Sequence, residues 1–266
     1  MSYPCEMVRS MRTERYLDCL AADYASLRAA AAATALGNPV PSCPDWTVAD
    51  LVTHVGEVYL HKVAVMRTGK MPDPWPPPEH ADVAPLVLLD QGYAELTAEF
   101  ASRPPDEPSP TWYEPEQTVG FWIRRMAQET VVHRMDAELA AGVPLTPAPA
   151  DLAVDGVDEV LTRMLAYLSV TWPEDYAEVA GGHLAGDDGA DTILVTAGPA
   201  RWTVRPTTVS VTVTEGAADA ARTEVRADPD TMLRWLWGRA DDDAVRVTGD
   251  PAWAAYLRRL LAALTQ

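Results

Sequence analysis

The chain has 266 residues, of which 48% are hydrophobic, so it is long enough for one large domain or two domains of ordinary size. Its formal net charge of -18 and isoelectric point near 4.5 exclude nucleic acid and anionic membrane surfaces as partners, because both would repel it. Cys5, Cys19 and Cys43 are widely spaced and form no C-x-x-C pair, which excludes a disulfide framework and a cysteine-ligated zinc site.

The N-terminal residues lack the apolar core of a signal peptide. No stretch of the chain approaches the ~18 uninterrupted apolar residues of a membrane span. We therefore expect a cytoplasmic protein, in which unpaired cysteines stay reduced, and we expect a monomer. Residues 1–10 carry no periodic pattern, so Met11 is an alternative start of translation.

Apolar residues at three- and four-residue steps predict four amphipathic helices in the first half of the chain. They span residues 13–34, 47–67, 83–102 and 118–142. Thr47, with Asp50 three residues later, forms a capping box at the start of the second helix. The proline-rich connections are too long for simple hairpins, which favours an antiparallel four-helix bundle with at least one crossing loop.

The second half of the chain mixes helices and strands. A proline-rich hinge at residues 143–150 precedes a fifth helix, and β-branched residues beyond it indicate a half-exposed sheet. The predicted helices cover residues 151–169, 229–237 and 251–264, and the predicted strands cover residues 192–196, 202–204, 209–214 and 244–248. The fold class is therefore α+β, with a helical domain at 11–170 that includes the fifth helix and a smaller mixed α/β domain at 171–266.

Glu129 and His133 have the spacing of metal ligands. They lie four residues apart in the run E-T-V-V-H, so a helix places both side chains on one face about 5–6 Å apart. His54, about two turns into the second helix, is available as a third ligand. Two histidines and one carboxylate would leave a coordination position open, as catalytic zinc sites require. A buried core histidine and an ordinary surface glutamate would give the same spacing by chance, so that alternative stays open.

Other polar residues allow more than one interpretation. Arg134 and Asp136, beside the candidate ligands, either orient the metal site or are solvated helix charges. We expect His61 and His80 to be exposed to solvent and His183 to lie in a loop. No G-x-S-x-G, H-E-x-x-H or nucleotide-binding glycine motif is present, so hydrolase, protease and nucleotide-dependent functions have no support.

Four segments carry a resemblance to a known family. They are V-P-S-C-P-D-W-T-V-A-D-L-V-T-H-V-G at residues 40–56, E-T-V-V-H-R-M-D-A-E at 129–138, D-G-V-D-E-V-L at 155–161, and L-W-G-R at 236–239 ahead of V-T-G-D. In this order the chain resembles the mycothiol-dependent maleylpyruvate isomerase family over nearly its whole length. The resemblance implies a DinB-like metal-binding bundle followed by a domain similar to the sterol-carrier-protein fold.

The resemblance also implies roles for individual residues. His54, Glu129 and His133 match the family's divalent-metal triad, with zinc the metal we expect, and the thiol mycothiol supplies a sulfur that the metal holds. Arg239, in the L-W-G-R match, corresponds to a basic residue associated with the substrate's carboxylate. Because Arg239 follows a glycine at a predicted helix end, a capping role competes evenly with anion binding.

Two classes of function remain open. The first is a metal- and mycothiol-dependent enzyme acting on a small electrophile, by S-transfer or by cis–trans isomerisation of a maleylpyruvate-like compound. The second is a non-catalytic protein that binds a metal or a small ligand. An intact ligand triad favours the enzyme, and no motif in the sequence specifies the acceptor.

Overall fold

The computed structural model describes residues 11–180, 191–218 and 220–265. The chain divides into two compact units between Thr146 and Pro147. The boundary predicted at residues 170 and 171 lies later than this division. The difference arises because the fifth helix packs within the C-terminal unit, against the helix that begins at Pro229.

The N-terminal unit contains the four predicted helices. They are α1 (Thr13–Ala32), α2 (Val48–Thr68), α3 (Pro85–Ser102) and α4 (Val119–Ala141). Each begins and ends within two residues of its predicted limits. Helix α1 packs mainly against α4 and α2 mainly against α3, and α2 also contacts α4. The sequence prediction of a helical N-terminal half is confirmed.

Local signals fix the position of α2. The Thr47 hydroxyl accepts a hydrogen bond from the Asp50 backbone amide while the Asp50 carboxylate accepts one from the Thr47 amide, so the predicted capping box is present. Gly92 of α3 lies so close to α2 that a Cβ atom there would be 2.6 Å from the carbonyl oxygen of Gly56. Only a pair of glycines allows the two backbones to approach in this way.

A short hairpin precedes α2 where the sequence predicted only a break between helices. Strands β1 (Pro39–Val40) and β2 (Cys43–Thr47) pair antiparallel with an irregular register. The prolines at 41 and 44 hide this hairpin from a reading of periodicity, because proline is unfavourable in regular strands. The hairpin lies against α4 and α2.

The C-terminal unit is a mixed sheet with helices. Its helices are α5 (Ala150–Glu159), α6 (Tyr167–Thr171), α7 (Pro173–Ala180), α8 (Pro229–Leu236) and α9 (Pro251–Leu264), and a π-helical stretch (Val160–Ala166) joins α5 to α6. Its strands are β3 (Ile193–Ala197), β4 (Ala200–Pro206), β5 (Val211–Glu215), β6 (Thr223–Ala227) and β7 (Arg246–Gly249). The strand order is β5-β4-β3-β6-β7, with β3 and β6 parallel and the other pairs antiparallel. The predicted α+β class is confirmed.

Two elements of this unit were not predicted. Strand β6 buries Val225 but alternates it with Glu224 and Arg226, so its composition is too polar to indicate a strand. Helix α7 is only eight residues long and buries Tyr176 and Ala180 alone, which is too little to establish a helical period. In the parts of the chain that the structure describes, no helix is long and apolar enough to cross a membrane.

A buried ionic cluster holds α1 to α4. The side chain of Arg134 is fully buried; its Nε lies 2.7 Å from Asp23 Oδ1, and its Nη1 lies 2.7 Å from Glu138 Oε2. Nη1 also donates to the carbonyl oxygen of Thr146, and the Thr146 amide donates to Glu138. Arg134 therefore compensates two buried carboxylates and anchors the last residues of the unit.

Replacing Arg134 with alanine should destabilise the helical unit strongly. The change removes the guanidinium that pairs with the buried carboxylates of Asp23 and Glu138, a loss of about 3–5 kcal/mol in the free energy of unfolding. The matched control is Arg67→Ala, which removes an arginine that also pairs with two carboxylates but whose side chain is 48% exposed. Its cost should be below about 1 kcal/mol. Urea denaturation of both variants, with a chelator present to remove bound metal, measures their free energies of unfolding. Equal losses of stability in the two variants would contradict the role assigned to Arg134.

Candidate metal centre

The three predicted ligands come together in the N-terminal unit. His54 extends from α2, and Glu129 and His133 extend from α4. The Nε2 atoms of His54 and His133 lie 3.3 and 3.1 Å from the same oxygen, Glu129 Oε1, and the three ligand atoms all lie within 4.8 Å of one another. Two imidazole nitrogens and one carboxylate oxygen are a ligand set suited to zinc and other divalent transition metals.

Asp136 fixes the orientation of His133. Its carboxylate is fully buried, and Oδ2 lies 2.9 Å from His133 Nδ1. The hydroxyl of Ser42, in the hairpin, donates to Oδ1 of the same carboxylate. This arrangement places a proton on Nδ1 and leaves Nε2 directed at the ligand cluster, as in carboxylate–histidine–metal arrangements. The proposed orienting role of Asp136 therefore has direct geometric support, whereas Arg134 belongs to the separate cluster with Asp23.

Arg125 holds the outer oxygen of Glu129. Its guanidinium donates to Oε2, which leaves Oε1 facing the two histidines. Burial favours the neutral acid, but the charges of His133 and Arg125 and the hydrogen bonds from both histidines hold the pKa of Glu129 well below its usual range. The carboxylate is therefore ionised and oriented before any ligand arrives.

The electrostatics of His133 indicate that the site favours a cation. Burial disfavours the imidazolium, yet the carboxylates of Glu129 and Asp136 raise the pKa of His133 to about 9. Two fixed carboxylates thus stabilise positive charge between them, whether it is carried by a proton or by a metal ion. The residues present fit a divalent metal in both donor type and charge.

Trp46 covers one side of the ligand cluster. Its ring centroid lies 4.7 Å from that of His54 and 6.0 Å from that of His133. Sequence reasoning missed Trp46, Ser42 and Arg125 as parts of the site. The first two lie in the quoted segment at 40–56, so the signal was present in the sequence, but only the folded hairpin shows which side chains face α4.

A cleft opens beside His54. It has a volume of about 210 Å³ and is lined by His54, Glu57, Val58, His61, Lys62 and Trp75. The expectation that His61 and His80 are solvent-exposed is wrong, since both are partly buried. The proline-rich loop folds back so that the ring of Trp75 lies nearly perpendicular to the imidazoles of His61 and His80, with centroids 5.2 and 5.4 Å apart. Burial, with the nearby charge of Lys62, lowers the pKa of His61 to about 4. His183 lies outside the described residues.

Arg239 ends a helix in the C-terminal unit. Gly238 adopts a φ of 73°, and the Arg239 amide donates to the carbonyl oxygen of Arg234 at 2.7 Å. These are the features of a Schellman motif at the end of α8. The guanidinium also donates to the carbonyl oxygen of Trp237. The capping alternative is therefore supported, and anion binding by Arg239 stays a prediction.

Comparison with known proteins agrees with this architecture. Residues 17–138 match the family model for the mycothiol maleylpyruvate isomerase N-terminal domain, and residues 151–256 match the model for the C-terminal domain of the same family. The chain belongs to the mycothiol maleylpyruvate isomerase family. No protein of curated function matches the chain.

Solved structures share the fold of this family member. A crystal structure of the mycothiol-dependent maleylpyruvate isomerase aligns with a TM-score of 0.61 and 14% identity, covering 90% of this chain and 93% of that chain. A mutant of that isomerase, with a histidine replaced by alanine, aligns with a TM-score of 0.59 and 13% identity over the same shares. At these identities the likeness establishes the fold alone.

Purified protein should contain about one divalent ion per chain. This content should fall strongly in three single variants, because each removes one of the three protein ligands: His54→Ala, Glu129→Gln and His133→Ala. The matched controls His80→Ala and Glu57→Gln change the same residue types outside the ligand cluster and should retain the metal. Elemental analysis of the six proteins decides the matter. Equal metal content in all of them would reject the triad.

Asp136→Asn should weaken the metal site without removing a ligand. The amide can no longer accept strongly from His133 Nδ1, and losses of orienting partners typically cost about 10–100-fold in metal affinity. Asp90→Asn, which alters a surface pair with Arg28, is the control and should leave the affinity unchanged. Competition with a chromogenic chelator measures both constants. An unchanged affinity in Asp136→Asn would show that His133 is oriented by other contacts.

Proposed function

We propose that this protein is a metal- and thiol-dependent enzyme that activates mycothiol for attack on a small electrophilic substrate. The observation that carries the proposal is the convergence of His54, Glu129 and His133 on one point beside a cleft. Membership of the mycothiol maleylpyruvate isomerase family supports mycothiol as the thiol and a maleylpyruvate-like compound as the acceptor.

The chain's own residues prepare the site. His54, Glu129 and His133 would hold the metal, for which zinc is our proposal. Asp136 keeps the proton of His133 on Nδ1, and Arg125 fixes the carboxylate of Glu129. When bound, a divalent cation stabilises a thiolate over the thiol and so supplies a nucleophile at neutral pH. Helix packing then contributes position and the exclusion of water.

Two outcomes follow from attack by the same sulfur. In an isomerase, the thiolate adds to a cis carbon–carbon double bond conjugated to a carbonyl, which forms a C–S bond and places the electron pair on the carbonyl side. The resulting single bond rotates, the thiolate leaves, and the double bond re-forms as trans. In a transferase, the sulfur displaces a leaving group or opens a ring, and the conjugate is released. The metal ligands are common to both, so the acceptor pocket determines the outcome.

Arg239 remains our proposed partner for a substrate carboxylate. The support is its match to the family's L-W-G-R segment, set against its observed role at the end of α8. We also propose that the enzyme acts as a cytoplasmic monomer, which its acidic composition and lack of a disulfide framework support.

The thiol premise can be tested by spectroscopy. With cobalt in place of zinc, addition of mycothiol should produce a sulfur-to-cobalt charge-transfer band, because the triad leaves a coordination position for a thiolate. S-methylated mycothiol, which has no ionisable thiol, is the control and should give no band. Arg239→Ala should keep the band and raise the KM of a carboxylated acceptor if it binds the carboxylate. No band at saturating thiol would favour the alternative function, a non-catalytic metal- or ligand-binding protein.

A further inference from the structure

Lys62 is an unusual residue in this chain. The sequence contains 21 lysines and arginines, but only Lys62 and Lys70 are lysines, and the net charge is -18. Lys70 is exposed beyond the end of α2. Lys62 lies within α2, about two turns beyond His54, and lines the same cleft. Its amine is therefore a positive charge beside the metal centre of an acidic protein.

The contacts of this amine leave its charge without a carboxylate partner. Lys62 Nζ lies 3.2 Å from His61 Nδ1 and 4.8 Å from the ring centroid of Trp122. Because the pKa of His61 is lowered, its imidazole is neutral and accepts a hydrogen bond from the amine. Among the described residues, no carboxylate lies within ion-pair distance, 4.0 Å, of Lys62, and Glu129 acts on it only at longer range.

Leaving this ammonium partly desolvated has a cost. Burial lowers the pKa of Lys62 to about 8, opposed in part by the charge of Glu129, so the amine is still mainly protonated at neutral pH. A cation–π contact with Trp122 stabilises one side of the amine. Cations removed from water are usually paired with an anion, and that partner is missing from the described protein residues.

The remaining charged group of the cleft is directed elsewhere. Glu57 Oε1 lies 3.7 Å from Nδ1 of His80, a buried nitrogen that makes no hydrogen bond. The other lining residues, Val58 and Trp75, are apolar or aromatic. The cleft is therefore lined by the ammonium of Lys62, by the side chains of Val58 and Trp75, and by the candidate metal ligand His54.

We propose that this cleft binds a carboxylate of the electrophilic substrate, with the ammonium of Lys62 as its partner and Trp75 against its carbon skeleton. The proposal rests on the proposed function, because that function supplies the electrophile, and it assigns Lys62 of the helical unit as a partner for one of its carboxylates. A carboxylate at Lys62 places the remainder of a small acid toward His54, where the activated sulfur would attack.

The test uses the two lysines as an internal pair. Acetic anhydride at pH 8 acetylates free amines, and mass spectrometry separates the Lys62 and Lys70 peptides after cleavage at Arg67. Maleate, a small cis-unsaturated dicarboxylate, should slow the acetylation of Lys62 about tenfold and leave the acetylation rate of Lys70 unchanged. A tenfold effect corresponds to the free energy of about one charge-assisted hydrogen bond. Dimethyl maleate, which has the same skeleton without charge, should protect neither lysine.

The metal itself is a competing carboxylate binder, so the measurement is made on metal-loaded and metal-depleted protein. Protection of Lys62 in both forms supports the proposal. Protection that disappears with the metal would overturn it, because maleate would then be held by the metal alone. Absence of protection in both forms would also overturn it.

Variants give an independent readout. Lys62→Met retains an aliphatic stem but removes the charge, and it should weaken maleate binding about tenfold in calorimetric titration. Lys70→Met should bind maleate as the wild type does. Equal affinities in the two variants would overturn the proposal. Metal content and circular dichroism confirm that both variants retain the centre and the fold. Neither the acetylation experiment nor the maleate titration requires a thiol. If mycothiol gave no charge-transfer band with the cobalt protein but maleate still bound through Lys62, the proposed function would be rejected and the anion site would stand.

Discussion

The carboxylate of Glu129 is the group on which the arrangement of the helical unit depends. It lies in the interior between α2 and α4, where an isolated carboxylate would be costly, and it remains ionised because three positive or hydrogen-donating groups surround it. Arg125 and His133 come from the same helix, one turn before and one turn after Glu129. His54 comes from α2, so the charge of Glu129 also ties the two helices together.

This constraint explains why α4 is so polar for a buried helix. Two ionic clusters lie along it, and each compensates its own carboxylates. The Arg134 cluster joins α4 to α1, and its own guanidinium supplies the positive charge for two carboxylates. The Glu129 cluster has two imidazole nitrogens aimed at one carboxylate oxygen, and it borders a cleft. Only the Glu129 cluster has the capacity to accept another cation. On helix α4, the Arg134 cluster therefore stabilises the fold and the Glu129 cluster forms the candidate site.

The sequence was sufficient for the features that depend on local periodicity. The four N-terminal helices, the capping box at Thr47 and the shared helix face of Glu129 and His133 all follow from spacing, because helix geometry fixes which side chains share a face. The pairing of α2 with α4, which brings His54 to Glu129, is not encoded by periodicity; His54 was proposed as an available third ligand from its place on its own helix, and the resemblance of the whole chain to a family supported that choice. The hairpin at β1 and β2 was missed because it contains prolines, and with it were missed Ser42 and Trp46. Burial of His61 and His80 depends on how a proline-rich loop folds back, which no periodic pattern encodes.

The net charge of the protein is a poor guide to the charge of its ligand. A net charge of -18 repels an organic acid at long range. At physiological ionic strength, however, exposed charges are screened over about 8 Å, so a ligand within a cleft responds mainly to the groups that line it. In this cleft the carboxylate of Glu57 is associated with His80, whereas the ammonium of Lys62 has no carboxylate partner among the described residues. The amine is therefore a local positive group in a molecule whose net charge is negative. An acidic surface then keeps other polyanions away, while a small carboxylate that reaches the cleft is bound by a single partly desolvated cation.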